Sequence, residues 1–465
     1  MARSVQCAAM TEPVPLDANE VPTLVFGALT RWQYATCLVL RFTPGGVAAR
    51  RVWLRTLAGR LTYGIADRNA PAHVLALAAS GLTALGLDTA DLDTFSAAFV
   101  NGMTAPYRSR ALGDEGDRRP GCWDWGNDAA PADALLFIYA LSQAQLSAAV
   151  GAVLLPPDVH LVQEIKLQVR AQTPSGFMVE PFGFLDGISQ PLIPGTPPAA
   201  AATPQSNDVV AAGEFVLGYA DSHGYLPAAP TVASANDPDG VLPTASNGQR
   251  DIGRNSTFLV VRQLRQDVAA FDNWVAGCAA ALSMPADYIA AQLIGRWQNG
   301  TSLVRNPRAP GTDDPDNDFL FRRDDPRAFG CPRGAHIRRS NPRDALHAKA
   351  EQAVRITNRH RILRVGRPYI VPPHGNAGGM LFMCLNTEIE RQFEFLQQTW
   401  VLGPSFDGLR DETDPLVGAN GGTGALTVQG EQGPQYLAGM PDFVTPIGGG
   451  YFWLPSRTAV HYLSV

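Results

Sequence analysis

Short, dense apolar runs alternate with helical stripes along this chain, and the second half repeats the style of the first. Tyr34 to Phe42 reads as a strand, followed by a helical spacing at Val47, Val52, Leu54 and Leu57. Ala134 to Ala140 is an unbroken apolar run, as expected of a strand buried on both faces. Ser142 and Gln145 have capping-box spacing and open a helix carrying Leu146 and Val150. Val159 to Val169 alternates in part and reads as another strand. In the second half, Phe258 to Leu264 is a strand. The helix after Asp267 places Phe271, Trp274, Val275 and Cys278 on one stripe. Gly379 to Leu385 is a dense strand. Thr387 and Glu390 suggest a second capping box before a stripe of Ile389, Phe393, Leu396 and Trp400, with Gly403 as the stop. Tyr451 to Leu454 is the last strand.

These strand–helix units predict two α+β domains with antiparallel sheets. Residues 1–21 read as a loose leader and 22–193 as the first domain. Residues 194–253, rich in Pro, Ala and Gly, read as a linker and loop excursion, and 254–465 as the second domain.

Composition narrows the function classes. The chain has 465 residues, too many for one ordinary core. A net charge of −6 gives no footprint for nucleic acid or an anionic membrane. Six scattered cysteines form no CxxC pair, which argues against a disulfide framework or structural zinc. No CxxCH motif is present either. No apolar run reaches the roughly 18 residues of a membrane helix. The first residues carry no apolar signal core, so a cytoplasmic location is expected.

Three stretches carry chemistry. Glu180 to Pro191 sets Asp186 in a glycine-framed turn among apolar neighbours; alone, an Asp-Gly pair is a turn signal. Phe329 to Arg343 holds His336 among Arg333, Arg338, Arg339 and Arg343. Read by itself it is a basic loop or an anion-binding patch. Nearby positive charge disfavours a protonated imidazole, so these arginines are expected to keep His336 neutral and able to ligate. Arg361 to Tyr369 holds Arg364, which shares a strand face with Ile362 and is costly to bury without a partner.

Together the three stretches resemble the dye-decolorizing peroxidase family, whose enzymes hold heme with an Asp, a His and an Arg around the iron. The resemblance covers most of the chain, and its motifs lie in 180–191, 255–264, 329–344, 361–369 and 378–400. It implies two ferredoxin-like domains with antiparallel sheets, the heme pocket mainly in the C-terminal one. It also implies one non-covalent heme b per chain, and hydrogen peroxide and organic reducing substrates such as phenols and dyes as partners. Gly183-Phe184-Leu185-Asp186-Gly187 matches the distal motif, which makes Asp186 the acid–base that shuttles a proton between peroxide oxygens. The proximal motif around His336 makes that residue the iron ligand. Arg364-Val365-Gly366-Arg367-Pro368-Tyr369 singles out Arg364, rather than Arg361 or Arg367, as the stabiliser of developing charge. Arg343 is the expected partner of a heme carboxylate. Met380 and Phe382 are expected to line the distal face, Met380 departing from the family's bulky residues there.

A ligating His donates its other ring N–H to a carboxylate or carbonyl. Asp414 is the expected acceptor, with Glu412 or a backbone carbonyl as alternatives. Donors too large for a closed pocket require a surface Tyr or Trp, and Tyr369 is the expected electron relay. The protein is expected as a monomer or homodimer. Two other readings stay open on the residues: a heme-handling or iron-release protein with little turnover, and a non-heme anion-binding protein built on the arginines near His336.

Overall fold

The computed structural model describes residues 14–168, 177–201, 206–312, 317–371 and 376–465. Its first half contains four strands, β1 (Tyr34–Phe42), β2 (Ala72–Leu77), β3 (Ala134–Ala140) and β4 (Val159–Lys166). Helix α1 (Val47–Ala58) joins β1 to β2, and α2 (Gln143–Gly151) joins β3 to β4. The spatial order β2-β3-β1-β4 with antiparallel neighbours is that of a ferredoxin-like βαββαβ unit. The second half repeats it. Its strands are β5 (Thr257–Gln266), β6 (Leu363–Arg364), β7 (Arg367–Val371), β8 (Asn376–Asn386) and β9 (Val444–Leu454). Helix α3 (Val268–Leu282) follows β5, and β6 and β7 both pair with one edge of β8. β8 pairs with β5, and β5 with β9.

The two halves share one sheet. β9 meets β2 through the pair Trp453 and Leu77. At the other end, Leu167 just beyond β4 bridges Tyr369 of β7, and the N–H of Gln168 donates to the Pro368 carbonyl at 2.8 Å. The strands therefore meet at both ends of the sheet, each time through a single residue pair. Alternation along each strand sorts side chains between two cores. Val39, Phe137, Val261, Leu381 and Met383 fill the interior of the closed sheet. Leu38, Leu136, Val260 and Trp453 face the helices outside.

Local signals explain most elements. Ser142 Oγ accepts from the N–H of Gln145, and Gln145 Oε1 accepts from the N–H of Leu141, so the first cap forms. The second does not. Thr387 Oγ1 instead donates to the Gly213 carbonyl, and Gln392 Oε1 accepts from the N–H groups of Thr387 and Glu388. The helix that follows is wound in π register over Glu390–Glu394 and Leu396–Val401. Residues 206–253, expected as part of a linker, run as turns over the sheet but bury Phe215, Val216 and Leu217 completely. Helix α4 (Ala286–Ile294), the five-residue α5 (His336–Ser340) and α6 (Arg457–Ser464) complete the frame around the site.

Candidate functional site

A cavity lies on the helix-facing side of the second half-sheet. Even-numbered residues of β5 turn outward; Arg262, Leu264 and Gln266 form part of its floor, with Met380 and Phe382 of the adjacent β8. The π-register helix supplies Phe393, Leu396 and Val401, and α4 supplies Ile294. The loop around Asp186 and the start of α5 both line this largely apolar space.

Asp186 reaches the cavity from a two-residue strand, Leu185–Asp186, paired with Met178–Val179. Gly187 follows with φ near +95°, a left-handed conformation that favours glycine. Asp186 Oδ1 accepts from Arg364 Nη1 at 2.7 Å. Burial alone would raise this carboxyl. The Arg364 charge and hydrogen bond, with the Gly187 N–H, more than offset that and hold it below the usual value of 3.8. Arg364 is fixed through its backbone: its N–H donates to Gln190 Oε1, and Gln190 Nε2 donates to its carbonyl. Ile362 shares the cavity wall with Arg364, while Leu363 and Val365 point into the opposite core.

His336 begins α5 and lines the same cavity. Its Nδ1 donates to Asp414 Oδ2 at 2.9 Å. Asp414 is fully buried, and its other oxygen accepts from the N–H groups of Leu416 and Val417. Burial lowers the His336 pKa, but Asp414 outweighs it and leaves the ring more basic than usual. The neighbouring arginines do not act as the sequence suggested. Arg333 and Arg338 pair with Asp407, and Arg339 donates to the carbonyls of Trp400, Gly403 and Glu412. Their guanidiniums are committed elsewhere, and Asp414 sets the character of the ring.

Two expected residues stand apart from the cavity. Arg343 is buried against the Phe319 ring, 4.1 Å from its centroid, and donates to the carbonyls of Asn317 and Phe319. It does not line the cavity, because its guanidinium is held by the loop at Asn317 and Phe319. Tyr369 is buried at 3% exposure rather than at the surface, because it packs in the same inner core as Leu167 and Leu381, and its hydroxyl donates to the Gly378 carbonyl. Residues not singled out from sequence line the cavity instead: Asn341, Arg361 and Arg296 near α5, and Arg118 and Arg262 toward β9. Asn341 and Arg361 lie inside the stretches 329–343 and 361–369, where neighbouring basic residues carry the stronger motif signal.

Beyond the Asp186–Arg364 pair the wall opens to a cleft of about 800 Å³. Val25, Phe26, Trp32 and Ile65 form its apolar side, and Asp186, Ile188 and Arg364 belong to both spaces.

No protein-family model matches the chain. It is 28% identical over 427 residues to dye-decolorizing peroxidase msp1 of Mycetinis scorodonius, covering 83% of this chain and 75% of that protein. It is 31% identical over 316 residues to the multifunctional dye peroxidase DyP2 of an Amycolatopsis species, covering 61% of this chain and 60% of that one. The fold superposes on the DyP-type peroxidase of an Anabaena species with a TM-score of 0.77 at 21% identity, over 98% of this chain and all of that one. Over most of its length the chain is thus similar in sequence to dye-decolorizing peroxidases, it shares the doubled fold of a DyP-type peroxidase, and the motifs it has in common with them converge on one cavity.

Proposed function

We propose that the protein is a heme b peroxidase that uses hydrogen peroxide to oxidise organic donors such as phenols and dyes. One observation carries the reading: the Asp186–Arg364 pair and His336, held by Asp414, line one largely apolar cavity. The lining residues fit the group. Nε2 of His336 is the nitrogen not taken by Asp414. Arg361 Nη2 and Asn341 Nδ2 are buried donors without partners among the described residues, so they suit the carboxylates of a tetrapyrrole. When bound, heme would supply the iron centre at which peroxide is reduced and the two oxidising equivalents are held.

The protein's own groups move the proton and the charge. Asp186, ionised at neutral pH, accepts the proton from one peroxide oxygen and returns it to the other, which leaves as water. Arg364 keeps that carboxylate ionised and stabilises negative charge as the O–O bond polarises. Asp414 fixes the ring orientation of His336 and raises its basicity. Two donor molecules then each give one electron and one proton, so one peroxide yields two waters and two donor radicals.

The test is an absorption spectrum of the heme-reconstituted protein, before and after one equivalent of hydrogen peroxide. The expected result is a Soret band that changes on peroxide and returns when a phenol is added. A band that only bleaches would instead assign heme handling. Absence of a band would overturn both heme readings.

A further inference from the structure

Two acid–arginine pairs stand side by side in the wall between cleft and cavity. Asp186 and Arg364 line both spaces. Asp208 lines only the cleft, whereas Arg361 lines only the cavity. Arg361 Nη1 donates to Asp208 Oδ1 at 3.0 Å, and the two residues are 5% and 6% exposed. Asn317 Nδ2 donates to the second Asp208 oxygen, and Asn317 Oδ1 accepts from Arg296 and Arg343 at 2.6 and 2.7 Å. Asp208 thus has both oxygens committed and cannot turn.

The arginine is different. Its Nη2 is buried and has no partner among the described residues. A buried guanidinium nitrogen left unpaired is costly unless an acceptor arrives. Asn341, on the same cavity wall, likewise has its whole side-chain amide unpaired. The fork geometry of a guanidinium fixes one edge whenever the other is held. Asp208 holds one edge from the cleft side, and the remaining nitrogen is available for an anion on the cavity side.

We propose that Asp208 is a positioning residue that holds Arg361 to bind a cofactor carboxylate, so that a cleft-wall side chain governs retention of the cofactor. The inference rests on the heme reading above. Asp208 touches neither substrate nor cofactor; it acts through Arg361. Removing its charge leaves Arg361 buried without its counter-ion, free to turn toward other acceptors. Loss of such an outer partner costs about tenfold or more in affinity in comparable sites.

The test measures heme loss to an excess of a heme-capturing apoprotein, for wild type and the D208N and D208E variants. It is repeated with iron protoporphyrin dimethyl ester, in which both carboxylates are capped. D208N is expected to release protoheme about tenfold faster, with D208E intermediate. The same variants should release the dimethyl ester at the wild-type rate, a distinction that a general loosening of the fold would not produce. Equal protoheme release by wild type and D208N overturns the inference, as does an equal acceleration with both pigments. If D208N does not fold, R361K read against the two pigments decides the same point: acceleration confined to protoheme is expected, and its absence overturns the assignment. A wild type that gives no Soret band with either pigment overturns the heme reading itself, an outcome separate from these.

Discussion

Nδ1 of His336 and Oδ2 of Asp414 lie 2.9 Å apart, and the second Asp414 oxygen is held by two backbone N–H groups. Every acceptor position of this carboxylate that matters is therefore used. An amide cannot reproduce the set: if its oxygen meets His336, its NH2 opposes the N–H groups of Leu416 and Val417. Asp414→Asn is expected to lower heme affinity about 10- to 100-fold. Heme transfer to an apoprotein acceptor measures it, and a wild-type transfer rate would remove Asp414 from this role.

Asp186→Asn keeps a side chain of the same size beside Arg364 and removes the proton acceptor. The expected outcome is retained heme with the peroxide-dependent step slowed about 10²- to 10⁴-fold. Stopped-flow absorbance over a range of peroxide concentrations gives the second-order constant. A rate within threefold of wild type would show that another group moves the proton.

The pH profile follows from the same pair. Asp186 is held below its usual value of 3.8, with burial pushing it up and Arg364 pulling it down further. The basic form therefore persists as pH falls through that value and is lost only below it. Arg364→Leu removes the pull and leaves the burial. The acid limb of the peroxide step should then move to higher pH by about one unit or more. An unmoved limb, measured between pH 3 and 7, would mean that a different group titrates.

His73 on β2 offers a stability test away from the site. It is 4% exposed, both ring nitrogens lack partners among the described residues, and burial pushes its pKa down to about 4. The unfolded chain protonates near 6.5, so stability is full above that value and falls as pH drops from about 6.5 to about 4. The loss across this window is about 3 kcal/mol. His73→Leu is expected to flatten that part of the pH dependence of urea unfolding. An identical slope in wild type and variant would contradict it.

Strands made of continuous apolar residues were legible because burial on both faces leaves an unmistakable run, as in Ala134–Ala140. β2 and α6 were not anticipated: Ala72–Leu77 begins with Ala-His, and Arg457–Ser464 is amphipathic over only eight residues. The three chemical stretches bring Asp186, His336 and Arg364 to one cavity, and Asp414 lies within hydrogen-bond distance of His336. What the residues could not convey was direction. Arg343 and Arg361 sit in similar basic surroundings, and distant contacts separate them: Asn317 and Phe319 hold the first, Asp208 the second. The capping role expected of Thr387 failed for a similar reason, since a distant carbonyl at Gly213 competes for its hydroxyl.

The pairing of Trp453 with Leu77 joins strands from nearly opposite ends of the chain. β1 to β4 find all their main partners within the first 168 residues, so this half can assemble while later residues are still being synthesised. The ring cannot close until β9 has emerged, and such distant contacts are slow to form. Until then β2 and β4 each present an open hydrogen-bonding edge. The interval between those events is when the nascent protein is most prone to pair with a second copy of itself.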